Sequence, residues 1–437
     1  MGMKKLVLTI VSIMLLVVWT VGCSTGSNTE SNTDSNTASQ SGEKVVVEFV
    51  RWSNGPTLDA EEEDKVKRFN DAHPNIEVKM TLLPWDETFK KIELSLATDK
   101  PVDIFYWDTP AYGWYSKGLI KNLQPYFNKD LNMSEFDANL FEPLKFDGSN
   151  MYVAPENLQT MVLYYNKTLF ENAGVGVPNE NWTWDNVREA AQKLTVTEGD
   201  KTTQFGLSLG VMDTWWGWQS LIYSAGGKIV DKINEPNEIL LDTPEATEAL
   251  QFLQNLIYVD GVAPDAIKRD ALGGDFFTGK IAMYVGGDWD LSTVRGITDF
   301  EWDIAPLPLW KGKRATPYFV GGYVITENSP HADEAWQFIK WAMTENQKTL
   351  AEQSSWIPVH KPSREGTPLP DWAPSGYEAA RFNWTELGVI GDVYSMKWRE
   401  ALDKYMFPMQ DVIFGQGKPV KPSVEEAQTE INKLFAQ

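Results

Sequence analysis

Tryptophan residues stand next to polar residues at several places where a predicted strand or helix gives way to a loop. The runs are Trp52-Ser53-Asn54-Gly55, Trp85-Asp86, Trp107-Asp108, Asp213-Thr214-Trp215-Trp216-Gly217-Trp218 and Gly286-Gly287-Asp288-Trp289-Asp290. The C–H face of a pyranose ring stacks on an indole ring, while adjacent carboxylates and amides hydrogen-bond the sugar hydroxyls. A single Trp is more often a core residue. Five such groups in one chain favour a sugar-binding surface.

The same residues leave two other hypotheses open. Indole rings beside Asp108, Asp288 and Asp290 would also enclose a cation such as a polyamine or a quaternary amine, and the excess acidic charge would steer it. A lipid-anchored glycoside hydrolase is the third hypothesis, because such an enzyme needs two carboxylates flanking a sugar. With 61 acidic residues in the chain, some pair always fits, so this signal carries little weight.

The sequence lacks the residues that several other kinds of site require. The single Cys excludes a disulfide framework and a Cys-based zinc cluster. His73, His331 and His360 lie too far apart for an HExxH metal motif, and the GxGxxG, GxxxxGK[ST] and GxSxG patterns are absent. We therefore expect a protein without catalytic residues, bound metal or cofactor.

The net charge and the chain length further narrow the class of protein. The chain has 437 residues and a formal net charge of −22, from 39 Lys and Arg against 61 Asp and Glu. This balance argues against nucleic acid, whose phosphates require clustered cations, and against adsorption to anionic lipid. The length predicts two or three domains with a large buried core.

The first residues have the pattern of an export signal. Lys4 and Lys5 precede an apolar run over residues 6–21, which is short for a bilayer span, and Cys23 follows directly. The segment resembles a bacterial lipobox, with Thr20 where that pattern usually has Leu. The interpretation is a signal peptide over residues 1–22 and a lipidated Cys23 as the new N-terminus, held by two acyl chains on its sulfur.

Residues 23–43 form a predicted flexible tether behind that anchor. The unit Ser-Asn-Thr recurs at Ser27, Ser31 and Ser35, and the segment has no residues that build a core. The chain is thus expected to work outside the cytoplasm, at the outer face of the bacterial cell membrane.

The body of the chain reads as alternating strands and helices. Strands and helices are predicted in turn over Val45–Val50, Glu61–Asn70, Ile76–Leu82, Phe89–Leu96 and Val102–Trp107. The order strand, helix, strand, helix, strand implies right-handed crossovers and a largely parallel sheet.

Several helix starts can be predicted from capping residues. Thr183 precedes an apolar stripe, and Thr243-Pro244 and Ser329-Pro330 each place a cap residue before Pro. The acidic run Glu61–Asp64 is interpreted as the first turn of a helix rather than a metal site, because carboxylates are favourable near a helix N-terminus.

Six stretches of the chain carry a family pattern. They are Asp103–Trp107, Leu163–Phe170, Trp182–Asp185, Ser224–Gly227, Phe276–Met283 and Ala335–Trp341. Together they resemble family 1 of the extracellular solute-binding proteins, the sugar-binding lipoproteins of ABC importers, and the similarity spans about residues 45–437.

The resemblance implies an α/β, two-lobed, periplasmic-binding-protein-like fold. Each lobe would be a mainly parallel sheet flanked by helices, and a multi-segment hinge would join the two. The expected first lobe is residues 44–153 with 307–360, and the second is 154–306 with 361–437.

The resemblance also implies a ligand in the cleft between the lobes. The residues expected to bind it are Trp52, Asn54, Trp85, Trp107, Asp108, Tyr112, Glu156, Trp216, Asp288, Trp289, Asp290, Tyr323 and Trp356. At least one of the two carboxylates that flank Trp289 should accept a sugar hydroxyl.

The partners implied are an oligosaccharide, the permease subunits of an ABC importer and, through the lipid, the membrane. We expect a monomer that captures an oligosaccharide by hinge closure and delivers it to the permease. Trp384 and Trp398 do not align with the family pattern and receive no role.

Overall fold

A computed structural model describes residues 44–98, 101–107, 111–209, 215–381 and 384–437. The predicted signal peptide, Cys23, the tether and Asp108 lie outside these ranges. None of the helices within them has the length and apolar content that a membrane crossing requires.

Eleven strands are found in the part of the chain described. They are β1 Val45–Trp52, β2 Ile76–Leu83, β3 Ile104–Tyr106, β4 Ala154–Asn166, β5 Val196–Glu198, β6 Lys201–Gln204, β7 Met283–Gly287, β8 Trp302–Ala305, β9 Thr316–Ile325, β10 Ile357–Pro358 and β11 Gly388–Ile390. Nine of them belong to one continuous sheet, and β5 and β6 form a separate hairpin.

Helices surround this sheet. Within the same ranges they are α1 Pro56–Ala72, α2 Trp85–Leu96, α3 Tyr112–Tyr115, α4 Gln124–Asp130, α5 Ala138–Phe141, α6 Lys167–Ala173, α7 Trp184–Leu194, α8 Trp216–Ser224, α9 Pro244–Tyr258, α10 Ala266–Ala271, α11 Leu291–Val294, α12 Ala332–Met343, α13 Gln347–Gln353, α14 Lys361–Gly366, α15 Tyr377–Arg381, α16 Trp384–Leu387, α17 Trp398–Ala401, α18 Phe407–Gln410 and α19 Val420–Phe435.

The predicted order of the first five elements is confirmed, with one correction. Helix α1 begins at Pro56, one turn and more before the predicted start at Glu61. Pro56 is preorganised for the first helical position, and Gly55 before it has a φ of 92°, which favours Gly. The acidic run is therefore not the first turn of α1, and Glu62 within it is buried.

The capped helices follow the sequence signals closely. Thr183 accepts a hydrogen bond from the Asn186 N–H while the Asn186 side chain accepts one from the Thr183 N–H, so α7 has a full capping box. Thr243 caps α9 with a single hydrogen bond, which its side chain accepts from the Ala246 N–H. The predicted start of α12 at Ser329-Pro330 is wrong, because the helix begins at Ala332 after His331, whose side chain makes no capping hydrogen bond.

The sheet is parallel at one end and antiparallel where the two long strands enter it. Strands β2, β1 and β3 are neighbours in that order and run parallel, as predicted. Strand β9 pairs antiparallel with β3 and with β4, and β4 pairs antiparallel with β7 and β8. The mainly parallel pairing that was expected in each lobe is thus found for β1, β2 and β3, whereas every pairing of β4 is antiparallel.

Two large apolar clusters form the cores of two lobes. The first is built on β1, β2, β3 and α12, and the second on α7, α8, α9, β7 and α19. Strand β4 contributes Leu158 to the first cluster and Met161 to the second, and β9 contributes Val320 to the first and Phe319 to the second. The α/β, two-lobed fold class is thereby confirmed, with β4 and β9 connecting the lobes.

A buried charge network lies where α1 meets these connecting strands. The Lys65 ammonium is 2.6 Å from Glu62, 2.7 Å from Glu156 and 2.7 Å from the Tyr323 hydroxyl, and Arg51 lies 2.5 Å from Glu62. Glu156 sits at a β-bulge in β4. Burial raises the pKa of Glu156 in spite of Lys65. Burial opposes ionisation of Glu62 as well, but Arg51 and Lys65 together outweigh it and lower that pKa.

We expect Lys65→Met to lower the free energy of unfolding by about 3–5 kcal/mol, because it leaves buried carboxylates without their shared cation. Lys67→Met is the matched control, since it removes the exposed pair with Asp71 on the same helix. Urea unfolding of both variants measures the difference. Equal midpoints for the two variants would contradict a structural role for the network.

Candidate ligand-binding cleft

A cleft of about 330 Å³ opens between residues of the two lobes. Its described lining is dominated by indole rings, with a few polar groups among them. The lining residues are Trp52, Ser53, Asn54, Trp85, Tyr106, Trp107, Gln159, Trp216, Trp289, Phe319, Val320, Gly321, Trp356 and Asp392.

The first wall is formed where the parallel strands end. Trp52, Trp85 and Trp107 follow β1, β2 and β3 at or near their last residues, and the carboxyl ends of parallel strands share one edge of a sheet. The Trp52 indole N–H donates to the Asn54 side-chain oxygen at 3.0 Å. The Asn54 backbone N–H donates to Asp59 at 2.9 Å, which holds this loop against the start of α1.

Phe89 of α2 supports two of these rings from behind. Its ring stacks on Trp52 at a centroid distance of 6.0 Å and meets Trp85 edge-on at 4.8 Å. Such aromatic contacts contribute about 0.5–1.5 kcal/mol each beyond the buried area, so the wall is held in place without any ligand.

Three aromatic rings form the opposite wall. Trp216 opens α8, Trp289 follows β7, and Phe319 belongs to β9. The rings lie 5.8 Å apart for Trp216 and Trp289, 5.4 Å for Trp216 and Phe319, and 5.7 Å for Trp289 and Phe319, all edge to face. This mutual packing fixes the orientation of each ring.

One buried guanidinium holds two segments of the cleft. Arg381 Nε lies 3.0 Å from Asp288, and its terminal nitrogen donates to the Ser355 carbonyl. Asp288 directly precedes Trp289, and Ser355 directly precedes Trp356. Burial raises the pKa of Asp288 to about 6, although Arg381 opposes this shift. Asp288 therefore positions the aromatic residue beside it.

The structure brings together seven of the residues expected at the site. They are Trp52, Asn54, Trp85, Trp107, Trp216, Trp289 and Trp356. The charged and phenolic candidates are engaged elsewhere. Glu156 and Tyr323 belong to the buried charge network, and Asp288 is paired with Arg381.

Two more expected residues do not line the cleft. Asp290 accepts a hydrogen bond from the Tyr284 hydroxyl at 2.7 Å. Tyr112 is 4% exposed and packs edge-on against Phe146 at 4.9 Å within the first core cluster. Proximity in sequence to a Trp thus did not put these polar groups on the ligand side.

Sequence reasoning missed several lining residues. They are Ser53, Tyr106, Gln159, Phe319, Val320 and Asp392. Gln159, Phe319 and Val320 lie on β4 and β9, which are buried along almost their whole length and so show no alternation that would mark the residues facing the cleft. Gly321 also lines the cleft, and a Cβ there would lie 2.4 Å from the Tyr106 hydroxyl oxygen and 2.7 Å from the Asn157 side-chain oxygen, which favours Gly at this position.

Comparison with known proteins assigns the family. The model for the bacterial extracellular solute-binding proteins matches residues 52–349, which is more than half of the chain. This chain belongs to that family. The matched region contains both aromatic walls of the cleft, and Trp356 and Asp392 lie beyond it.

Relatives and solved structures agree with this membership. The chain is 24% identical to the galactooligosaccharide-binding protein of Bacillus subtilis, over 74% of each chain. The ABC substrate-binding protein Lmo0181 of Listeria monocytogenes, solved in complex with cycloalternan, has a TM-score of 0.76 and 23% identity, over 90% of this chain and 100% of that one. The GacH receptor of Streptomyces glaucescens has a TM-score of 0.75 and 19% identity, over 90% and 99%. These structures establish the periplasmic-binding-protein-like fold.

The Asp290 carboxyl group allows a prediction of how the free energy of unfolding depends on pH. Burial, with smaller contributions from Asp275 and Asp288, raises the pKa of Asp290 to about 7 in the folded protein, against about 3.9 in an unfolded chain. Between these values the unfolded state binds fewer protons, so stability falls as pH rises from about 4 to 7, by at most about 1.4 kcal/mol per pH unit.

Asp290→Asn should therefore flatten the decline in the free energy of unfolding across this pH range. The exposed Asp299→Asn makes the same change in net charge and serves as the control. Urea unfolding at intervals from pH 4 to 8 compares both variants with the unmodified protein. Identical slopes for the Asp290 and Asp299 variants would refute the assignment.

Proposed function

We propose that this chain is the substrate-binding component of a carbohydrate ABC importer. It captures an oligosaccharide between its two lobes and delivers it to a membrane permease. The observation that carries this proposal is the cleft itself, in which six Trp rings from both lobes surround a few hydrogen-bonding side chains. Family membership and the sugar ligands named for relatives support it.

The geometry fits the recognition of sugar rings. Indole faces on opposite walls contact the C–H faces of pyranose units, while Asn54, Gln159 and Asp392 exchange hydrogen bonds with hydroxyl groups. Closure about β4 and β9 brings the walls together, because the ligand has a higher affinity for the closed form than for the open one. Transport requires the sugar to leave intact, so we propose binding without cleavage.

A cationic ligand is disfavoured because Asp392 is the one acidic residue among the described residues that line the cleft. That hypothesis needed Asp108, Asp288 and Asp290 to face the ligand beside the Trp rings, and Asp108 lies outside the described residues. Asp288 is fully buried against Arg381, and Asp290 accepts from Tyr284. The Asp288 and Asp290 carboxyl groups are thus directed into the protein and away from a ligand in the cleft.

We also propose how the chain is arranged around this cleft. Residues 1–22 are the signal peptide, and residues 23–43 are the lipidated Cys23 and its tether at the outer face of the cell membrane. The first lobe comprises 44–153 with 307–360, and the second comprises 154–306 with 361–437. The functional unit is a monomer that meets the permease with both lobes.

Thermal unfolding of the mature chain with malto-, xylo-, arabino-, galacto- and manno-oligosaccharides, spermidine and betaine tests the ligand class. A sugar at about 100 times its Kd adds roughly 2.7 kcal/mol, which raises the midpoint by several degrees. We expect a shift with one sugar series, recovered uncleaved. A shift with only the cations, or cleavage of the sugar, would overturn the proposal.

Trp289→Ala should weaken binding of that sugar at least tenfold, because it removes one stacking surface, an anchor of the kind that contributes about 2 kcal/mol or more. Trp372→Ala is the control, since Trp372 lies outside the cleft beside Tyr377. Titration calorimetry, at a temperature below the onset of thermal unfolding, measures the sugar affinity of both variants. Equal losses would argue against stacking on Trp289.

The anchor is tested on Cys23. We expect Cys23→Ser to release the protein from the membrane fraction into the medium, because no sulfur remains for acylation. Thr20→Leu restores the usual lipobox residue and should leave the protein in the membrane fraction. Membrane retention of the Cys23→Ser protein at the level of the Thr20→Leu protein would refute lipid anchoring.

A further inference from the structure

A second cavity, of about 550 Å³, adjoins the cleft. We call it the side cavity. It shares Trp85, Trp216 and Asp392 with the cleft, so these three residues border the junction between the two. The side cavity is the larger of the two volumes, and none of its other lining residues was expected at the site.

The floor of the side cavity is aromatic and rigid. Trp114, Trp215 and Trp398 are 4%, 3% and 1% exposed. Trp215 and Trp398 meet edge to face at 5.2 Å, and Trp114 meets Phe105 edge to face at 4.9 Å. Rings packed this firmly present a fixed surface that does not need to reorganise when a ligand arrives.

The mouth of the side cavity carries groups suited to hydroxyls. Lys117, Glu93 and Arg399 supply charged donors and acceptors around it, and the apolar Met396 is 52% exposed there. The Arg399 guanidinium lies 5.2 Å above the Trp85 ring, next to the junction with the cleft. Aromatic floor and polar rim together repeat the chemistry of the cleft.

We infer that the side cavity binds the continuation of the same oligosaccharide that occupies the cleft. This inference rests on the proposed function and adds a substrate class to it, namely chains too long for the cleft alone. The occupant is a continuation rather than a separate molecule, because the two cavities are adjacent and share Trp85, Trp216 and Asp392 in their linings. Affinity therefore increases with chain length beyond what the cleft accommodates.

Gly113 provides a way to close the side cavity without touching the cleft. It lies in α3 and lines the side cavity but not the cleft. A Cβ at this position meets no atom within 4 Å, and its backbone conformation suits other residues. Gly113→Leu thus fills the space with a side chain and introduces no backbone strain.

Gly366→Leu is the matched control. Gly366 ends α14, its added Cβ also meets no atom within 4 Å, and it lines neither cavity. Met396→Ala is a second variant, which removes the exposed apolar side chain at the mouth and keeps the test possible if Gly113→Leu fails to fold.

The experiment is a titration with saccharides of two to six units, using maltose to maltohexaose and the corresponding manno- and galacto-series. In the unmodified protein and in Gly366→Leu, we expect affinity to rise at least tenfold between the disaccharide and the hexasaccharide of the series that binds. In Gly113→Leu that gain disappears, while disaccharide affinity stays within twofold. Met396→Ala should reduce the hexasaccharide affinity about threefold or more.

The other outcomes separate the two proposals. If disaccharides bind and added units bring no affinity, or if Gly113→Leu weakens all lengths equally, the inference about the side cavity is wrong and the proposed function stands. If no sugar of any length binds, the proposed function fails and this inference with it. Binding of a dye such as 1-anilinonaphthalene-8-sulfonate gives a further test. If Gly113→Leu abolishes dye binding but saturating hexasaccharide does not displace the dye, the side cavity binds a separate apolar ligand and the inference is wrong.

Discussion

The antiparallel pairing of β4 with β9 is the constraint on which the cleft depends. Both strands are buried along almost their whole length, so their backbone polar groups must be satisfied within the sheet. Strand β3 attaches to β9 at one end, and β7 and β8 attach to β4 at the other. The loops that carry the Trp residues are thereby placed relative to a single pair of strands, and a slip in their register would reverse which side chains face the cleft.

Two buried ion pairs near the cleft serve the protein rather than the ligand. Lys65 of α1 pairs with Glu156 of β4, and Arg381 pairs with Asp288 beside Trp289. Buried ion pairs add little net stability, yet breaking one is costly, so they tolerate few alternative arrangements. Their effect is to hold the segments that bear the aromatic rings. The cleft walls are consequently apolar with a few polar groups, which is the usual composition of a small-molecule site.

Much of the fold and of the cleft lining was predictable from the sequence. The parallel arrangement of the first three strands was predicted from residue patterns and crossover rules, and Trp52, Trp85 and Trp107 follow these strands at one edge of the sheet. Trp216 and Trp289 were found because clusters of Trp beside Gly and Asp are rare. Phe319 and Gln159 were missed because fully buried strands show no alternation. The acidic run in α1 was misread because Gly55-Pro56, a stronger start signal, stood five residues earlier.

The sequence by itself determined the α/β class, the helix caps, the family resemblance and the aromatic character of the site, since these depend on local residue patterns. Only the tertiary structure decided which polar residues face the ligand. Asp288 and Glu156 each adjoin a promising motif, but their partners Arg381 and Lys65 are 93 and 91 residues away in the chain. Asp290 instead accepts a hydrogen bond from the Tyr284 hydroxyl, six residues before it. The side cavity likewise joins α2, α3, α8 and α17, which no local pattern connects. Contacts between remote segments are set by packing of the whole chain, and short-range sequence does not contain them.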